Sequence, residues 1–328
     1  MAHGIFGQSM VFAGDVPWHG IGTQLPGNAT WGDIKDLVGF YRAEARPLFM
    51  PGRPTPLPDR KALVRSDSGE YLSTVGIDYG IVQFDDMAEA VVTAAGDFQA
   101  VFHTAGLLGE NGIRGWLLGE LPGELVVKGD RSPIKRYFLA TGAHTGAHPV
   151  NLANCATRVV CQNTLGMALR ERDGAAWTIR HTRNAAAAVK AAAGAFAQLV
   201  SGYEKFGELA NTLADIGFSD EAFDATLDTV IPIPQDGKPH PRLEENRNTL
   251  RELWGGRAKG LEGLEGTAWG AWQAWTEFSD HHRPSLPETT ATRLDNIWFG
   301  TGSSQKREAL YAIAKEAELD LRAVMAVA

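Results

Sequence analysis

The stretch that decides the fold is Cys155–Leu169, which reads CATRVVCQNTLGMAL. Its centre carries Val159 and Val160, and neighbouring β-branched residues favour a strand. Asn163 and Thr164 then offer side-chain oxygens that cap free backbone N–H groups, after which apolar residues continue at helical spacing. The stretch therefore predicts a strand that runs directly into a helix.

The alternation of side chains along this strand separates two sets of residues. One set contains both cysteines of the chain and is expected to face the core. The other set contains the guanidinium of Arg158 and the amide of Gln162, which require polar surroundings. Because the sequence holds no complete catalytic motif, this polar set is the first candidate for a binding function.

Three further β segments precede this strand, and the first two flank a hairpin turn. Asn111-Gly112 supplies the positive φ angles that tight hairpins need. The four expected strands are Phe98–Leu107, Ile113–Leu121, Ile134–Thr141 and Asn154–Gln162. Together they predict an α+β fold, in which an antiparallel β-meander is backed by helices and followed by a helical C-terminal region.

The remaining segments divide the chain into four expected parts. These are an α+β core domain over 1–183, a long and a short helix over 184–231 that pack on it, a Pro-rich linker over 232–245, and a helical region over 246–328. The linker is expected because four prolines between Ile231 and Pro241 lack the N–H donor. Apolar spacing predicts helices at 31–38, 84–95, 184–213, 219–230, 246–254, 267–278 and 303–321.

The run Arg158–Leu165, RVVCQNTL, resembles the signature of the phage/plasmid-like protein family, a domain of unknown function carried by phages, prophages and plasmids. The resemblance covers nearly the whole chain through Pro17–Gly22, Gly266–Trp269 and Trp298–Gly302. Where the family shows a Ser-His-Asp-Gly-Ser-like run, Ala143–Ala147 keeps the histidine and a glycine but lacks the aspartate. The resemblance implies a mobile-element setting and no particular chemistry.

Composition excludes some classes of protein. The 328 residues carry a formal net charge of −8. This charge argues against electrostatic binding of nucleic acid by the whole protein surface, but it is compatible with a local basic groove. Two cysteines in one strand cannot pair, so the cytoplasm of a bacterial host is expected. The segment Met1–Gly14 lacks the pattern of a signal peptide, and no run of about 18 apolar residues predicts a membrane span.

Residues two positions apart in a strand lie on the same face of the sheet. In the predicted meander this alternation places cations beside aromatic rings or an amide. The pairs that share a face are Arg114 with Trp116, Lys135 with Tyr137, and Arg158 with Gln162. If these faces coincide, they form a platform for single-stranded nucleic acid, where cations contact phosphates and each stacked base contributes about 1–3 kcal/mol. The alternative is an ordinary solvated face, with Trp116 and Tyr137 half buried under the N-terminal arm.

The leading hypothesis is a mobile-element protein that binds single-stranded DNA. The strand order resembles, at the level of fold alone, the core of phage and eukaryotic single-strand annealing proteins, which form rings. Downstream, cations outnumber acids, with Arg170, Arg172, Arg180, Arg183 and Lys190 against Glu171 and Asp173. The hypothesis is thus a homo-oligomer that anneals strands without covalent catalysis, cofactor or metal. The alternative is a structural or host-interaction protein that acts through protein contacts.

Other candidate sites have simpler explanations beside them. Gly300–Lys306 opens a predicted helix, whose N–H groups and Lys306 suit a phosphate; a glycine turn with a serine cap is the alternative. Two histidines and two cysteines could bind zinc, or Cys161 and His144 could act together as a hydrolase. The alternative is two buried thiols and two loop histidines without such a function, since the spacing of these residues in the sequence matches no standard pair of zinc ligands. The residues concerned are His144, His148, Cys155 and Cys161. Trp269, Trp272 and Trp275 lie three apart, as core or subunit-packing residues do.

Overall fold

The fold is built on two β-sheets with helices packed against them. The computed structural model describes residues 10–13, 22–27, 29–96, 98–158, 164–166, 176–194, 196–236, 238–283 and 301–326. The strands are β1 Val11–Ala13, β2 Thr23–Leu25, β3 Ala43–Phe49, β4 Pro56–Arg65, β5 Tyr71–Gly76, β6 Val101–Leu108, β7 Arg114–Leu125, β8 Ile134–Ala143, β9 Val150–Arg158, β10 Thr164–Gly166 and β11 Ala176–Ile179.

Helices occupy the spaces between the sheets and most of the C-terminal half. They are α1 Trp31–Val38, α2 Phe84–Gly96, α3 Ala185–Gly194, α4 Phe196–Asp215, α5 Asp220–Val230, α6 Pro241–Glu252, α7 Ala268–Glu277, α8 Thr301–Glu316 and α9 Leu321–Ala326. Two π-helical turns, Leu253–Arg257 and Phe278–His282, extend α6 and α7. The predicted α+β class with a helical C-terminal region is confirmed.

The larger sheet contains the predicted meander. Its strand order is β10-β9-β8-β7-β6-β1-β2, with β11 also paired to β9. Strands β6 to β9 are consecutive and antiparallel, as expected. At the β6–β7 turn Asn111 has φ 54° and Gly112 has φ 63°, which is the left-handed geometry that the Asn-Gly pair predicts. The smaller sheet has the order β3-β4-β5.

Both faces of the meander are buried. Alternate residues of β7, β8 and β9, among them Leu117, Phe138 and Leu152, join a large core cluster that includes residues of α2, α4 and α7. The opposite parity holds Trp116, Tyr137 and Cys155 in a second, smaller cluster that Met10 joins from the N-terminal arm. Successive side chains of each strand point to opposite faces of the sheet, so each strand contributes to two separate apolar clusters.

Local propensity predicted two element boundaries wrongly. Thr164–Gly166 is a strand paired with β9 and not the start of a helix, because sheet pairing satisfies its backbone groups. Within the helix expected over 184–213, the structure describes α3 and α4, and residue 195 lies outside the described residues. Helix α6 begins at Pro241, inside the predicted linker, since a proline at the first helical position needs no donor.

Helix α7 is the centre of the C-terminal region, because every one of its residues is buried. Thr267 caps it by accepting a hydrogen bond from the Gly270 N–H at 3.0 Å. Trp269, Trp272 and Trp275 are each no more than 1% exposed, which confirms their prediction as core residues. Their indole N–H groups donate to Asp130 Oδ2, the Lys306 carbonyl and Thr226 Oγ1.

We expect Gly270→Ala to lower the free energy of unfolding by about 1–3 kcal/mol. A Cβ at this position would lie well inside contact distance of the Leu264 carbonyl oxygen, which is backbone and cannot rotate away. The matched control is Gly32→Ala on the exposed face of α1, where the nearest heavy atom to the new Cβ lies at 3.6 Å. Helix propensity should raise stability there by up to about 1 kcal/mol.

Urea denaturation of both variants measures the two effects. Equal and stabilising effects would contradict the close approach of Leu264 to α7.

Candidate nucleic-acid interface

The aromatic rings predicted to stack on bases are buried. Trp116 is 1% exposed and Tyr137 is 5% exposed. The Trp116 indole donates to Thr104 Oγ1 at 3.3 Å, and the ring of Tyr137 meets that of His103 at 5.0 Å. The prediction of an exposed platform on this face is therefore wrong for both rings, because the N-terminal arm supplies Met10 to the same cluster.

The register of the meander separates Arg158 from these rings, whereas Arg114 and Lys135 share the parity of Trp116 and Tyr137. In the β8–β9 pair Tyr137 lies opposite Cys155 and Lys135 opposite Thr157, whereas Arg158 lies opposite Ile134. Residues directly opposite in a pair share a face, so Arg158 belongs to the other side of the sheet. The predicted parity of Arg114 with Trp116 and of Lys135 with Tyr137 is confirmed, but the alignment of Arg158 with them depends on the register between strands. Gln162, Arg170 and Cys161 lie outside the described residues.

Of the other predicted cations, Lys135 and Lys306 are engaged within the protein, whereas Arg183 is 78% exposed. Lys135 Nζ lies 3.4 Å from Glu120 Oε1, and Arg183 pairs with Asp78 at the surface. Lys306 is 3% exposed and its Nζ lies 2.8 Å from Oδ1 of the equally buried Asp280. A buried lysine with a carboxylate partner is not presented to a phosphate at the surface, so the phosphate role predicted for Lys306 is wrong.

The combination of exposed cations and an exposed ring occurs on the smaller sheet instead. In the β3–β4 pair Arg46 lies opposite Ala62, and Arg60 is two residues along the same strand, so both share one face. In the β4–β5 pair Ala62 lies opposite Thr74, whose Oγ1 is 2.9 Å from the hydroxyl of Tyr71. We call the face that carries Arg46, Arg60 and Tyr71 the basic sheet face.

The side chains of the basic sheet face are exposed and weakly held. Arg46 and Arg60 are 62% and 54% exposed, and Tyr71 is 56% exposed. Each arginine faces one acid, Glu44 and Asp59 respectively. Exposed pairs of this kind contribute about 0–1 kcal/mol, so a phosphate can replace the carboxylate at little cost.

The other face of this sheet is fixed to the body of the protein. Arg65 is buried over the Tyr41 ring at 4.0 Å, binds both oxygens of Asp67, and donates to the Asn111 carbonyl at 2.7 Å. Lys61 Nζ donates to the carbonyls of Ile77 and Tyr79 at 2.9 and 2.8 Å. These two cations are structural, and they hold the sheet with its basic face outward.

Sequence reasoning missed the basic sheet face, although one signal was present. Residues 42–65 hold six Arg and Lys against two Asp and Glu, in a chain whose net charge is −8. The sequence predicts strands over 45–50 and 61–65 around a Pro-rich connection, but it does not indicate that the cations of these strands share an exposed face. A local charge count would have found the segment; which cations are exposed depends on tertiary packing.

The turn between β8 and β9 gathers three histidines, two of which were candidate ligands. Arg114 Nη2 lies 3.0 Å from His148 Nε2, and Thr145 Oγ1 lies 3.0 Å from Nδ1 of the same ring. A guanidinium only donates, so Nε2 accepts and Nδ1 carries the proton. His181 stacks on Tyr79 with 4.5 Å between ring centroids. Arg114 therefore contacts this turn through His148.

Of the four candidate ligands, the structure describes His144, His148 and Cys155. Among the residues that the structure describes, no group of three or more His, Cys, Asp or Glu side chains is placed to hold a metal ion. His144 is completely buried, its ring centroid lies 4.1 Å from that of Phe84, and neither ring nitrogen has a hydrogen-bond partner within the described part of the chain. Burial, followed by the charge of His181, lowers the pKa of His144 to about 3. Such an imidazole stays neutral and is not a base for catalysis.

We expect His144→Leu to remove part of the acid sensitivity of the fold. Because the pKa of folded His144 lies below its ordinary value of 6.5, the unfolded state binds more protons between these values. The contribution of His144 to the free energy of unfolding is complete above pH 6.5. This contribution falls as the pH drops toward 3, by at most about 1.4 kcal/mol per pH unit. Urea denaturation at pH 7.5 and 4.5 should show a smaller loss for the variant. Equal losses would contradict the lowered pKa.

We expect Cys155 to resist thiol reagents in the folded protein. Burial raises the pKa of its thiol to about 12, so almost no thiolate forms at neutral pH. In a Cys161→Ser variant, which keeps only this thiol, labelling should proceed at the rate of unfolding and accelerate in urea. Fast labelling without urea would contradict the buried position.

Comparison with known proteins gives a family and no function. No curated protein and no solved structure matches the chain. Residues 71–298, more than half of the chain, match the domain of unknown function DUF932. This span includes the meander, the histidine turn and α7, and it begins at the exposed Tyr71. The chain therefore belongs to the family defined by the domain of unknown function DUF932.

Proposed function

We propose that this protein binds single-stranded nucleic acid through the basic sheet face. The observation that carries the proposal is the exposure of Arg46, Arg60 and Tyr71 on one side of an antiparallel sheet. Guanidinium groups bind backbone phosphates, and an exposed ring stacks on a base regardless of sequence. This is the chemistry predicted for the meander, assigned to a different sheet.

Local charge supports the proposal. The segment 42–65 has a net charge of +4, so the rest of the chain carries −12. An acidic body repels nucleic acid, which confines attraction to the basic segment and favours a defined orientation.

The biological setting is part of the same proposal. The resemblance of Arg158–Leu165 to the phage/plasmid-like protein family suggests a protein of a mobile genetic element that acts in the bacterial cytoplasm. Binding to single strands in an oligomer would then serve recombination by strand annealing, a task that needs no covalent step. In the described part of the chain, no helix has the length and apolar character needed to cross a bilayer.

We expect Arg46→Ala combined with Arg60→Ala to weaken binding to a single-stranded oligonucleotide at low salt. Loss of two phosphate contacts should also reduce the slope of log affinity against log salt by about 1.4, because each contact to a single strand releases about 0.7 of a counterion. Tyr71→Ala should weaken binding by about 1–3 kcal/mol, which is roughly 5- to 150-fold. Fluorescence anisotropy with oligo-dT at two salt concentrations measures both effects.

Matched controls exist on the helical side of the protein. Arg251 and Arg257 are exposed arginines in ion pairs with Asp224 and Glu252, and Tyr311 is 51% exposed on α8. Their alanine variants should bind as the wild type does. Absent binding at low salt, or equal losses in the control and test variants, would exclude the basic sheet face as the interface.

A second candidate function is a structural or host-interaction role. The observation that favours it is the pair of exposed apolar residues at the end of β3, Phe49 and Met50, which are 54% and 49% exposed. Large exposed apolar side chains that adjoin one another indicate a protein contact. A particle of fixed mass that does not bind oligonucleotides would support this role over nucleic-acid binding.

A further inference from the structure

The hairpin formed by β3 and β4 has an apolar end. Leu48 and Leu57 are half buried there, and Phe49 and Met50 are among the most exposed large apolar residues of the described chain. Pro56 lies opposite Phe49, and Pro47 and Pro58 flank them. Prolines lack the N–H that strand addition uses, so this end is suited to contacts by side chains. We call residues 48–57 the hairpin tip.

An apolar cleft lies elsewhere on the same chain. It encloses about 320 Å³ between the first turn of α1, the last turns of α2 and the strands β6 to β8. Its walls include Trp31, Val92, Ala95, Phe102, Leu117 and Phe138. Apolar clefts of roughly 300–1,000 Å³ receive compact apolar groups in proteins. This cleft is large enough for an aromatic anchor such as the ring of Phe49.

The rim of the cleft carries a fixed negative charge. Thr30 lines the cleft, and its N–H and hydroxyl both donate to Asp33 Oδ2, at 2.8 and 2.7 Å. These hydrogen bonds lower the pKa of Asp33, so the carboxylate is ionised at neutral pH. The hairpin tip carries Arg53 in the turn that the Arg53 N–H closes onto the Met50 carbonyl. Tip and cleft are therefore complementary in both polarity and charge.

We propose that the hairpin tip of one copy of this chain docks in the apolar cleft of a second copy, with Phe49 as the anchor. Charge favours this pairing, because the tip carries the cation Arg53 and the rim of the cleft carries the anion Asp33, whereas a contact between two tips would bring two Arg53 side chains together. A tip-to-cleft contact joins two different surfaces, so it repeats from copy to copy and yields rings or open chains. The contact is independent of nucleic-acid binding, because it uses the tip and leaves Arg46, Arg60 and Tyr71 on the basic sheet face.

Two single substitutions test the contact, one in the hairpin tip and one in the apolar cleft. Phe49→Glu removes the anchor at an exposed position, so the fold should be unaffected. Gly96→Leu fills the cleft from the end of α2, where an added Cβ meets no heavy atom within 4 Å. Gly27→Leu, which has the same free space beside the cleft, replaces it if the α2 variant unfolds. Val126→Glu, at a 74% exposed valine, is the matched control for an added surface charge.

Light scattering and sedimentation without nucleic acid give the masses. The wild type and Val126→Glu should exceed the 35.4 kDa of one chain, and the excess should shrink at high salt. Phe49→Glu and Gly96→Leu should each be monomeric, with unchanged circular dichroism. Mixing the two variants should restore a dimer, because one intact tip and one intact cleft remain.

Three outcomes would overturn the proposal. They are a monomeric wild type at the highest concentration reached, an oligomer whose mass neither variant changes, and a mixture of the two variants that stays monomeric. Nucleic-acid binding by the basic sheet face is measured separately with oligo-dT. The failure of one proposal is therefore distinguishable from the failure of the other.

Discussion

The burial of α7 is the constraint on which the C-terminal half of this protein depends. A helix surrounded on all sides must satisfy every polar group that it carries, and an indole N–H left without an acceptor costs about 1–3 kcal/mol. Trp269, Trp272 and Trp275 meet that requirement through three different partners: the β7–β8 connection, α8 and α5. Because one helix bonds to all three, their positions are fixed relative to each other and to the sheet.

The same requirement explains a buried ion pair beside this helix. Lys306 and Asp280 are 3% and 2% exposed, and an isolated charge at either position would be strongly destabilising. Their pairing ties α8 to the π-helical turn that extends α7. The cation that suggested a phosphate site from the sequence is thus part of the helical core, and its carbonyl also accepts from Trp272.

Burial of both faces of the meander determines where a ligand can bind. Trp116 and Tyr137 are aromatic residues of the kind that stack on bases, but both are buried in an apolar cluster and are not exposed for stacking. The smaller sheet is anchored on one face by Arg65 and Tyr41 and exposes the other. Two arginines and a tyrosine remain there in weak surface interactions, and they support the proposed function. The apolar hairpin tip of the same two strands supplies the proposed contact between copies.

The sequence by itself determined the α+β class, the antiparallel meander, the Asn-Gly turn and the core role of the three tryptophans. Each follows from local rules, namely side-chain period and turn chemistry. Only the tertiary structure decided that Thr164–Gly166 pairs with β9, that Arg158 lies across the sheet from Tyr137, and that Lys306 is buried. Register, sheet edges and the element that covers a face depend on residues distant in the chain, and no local pattern encodes them. For that reason the sequence indicates which residue types the chain offers, whereas the exposure of each cation and ring required the tertiary structure.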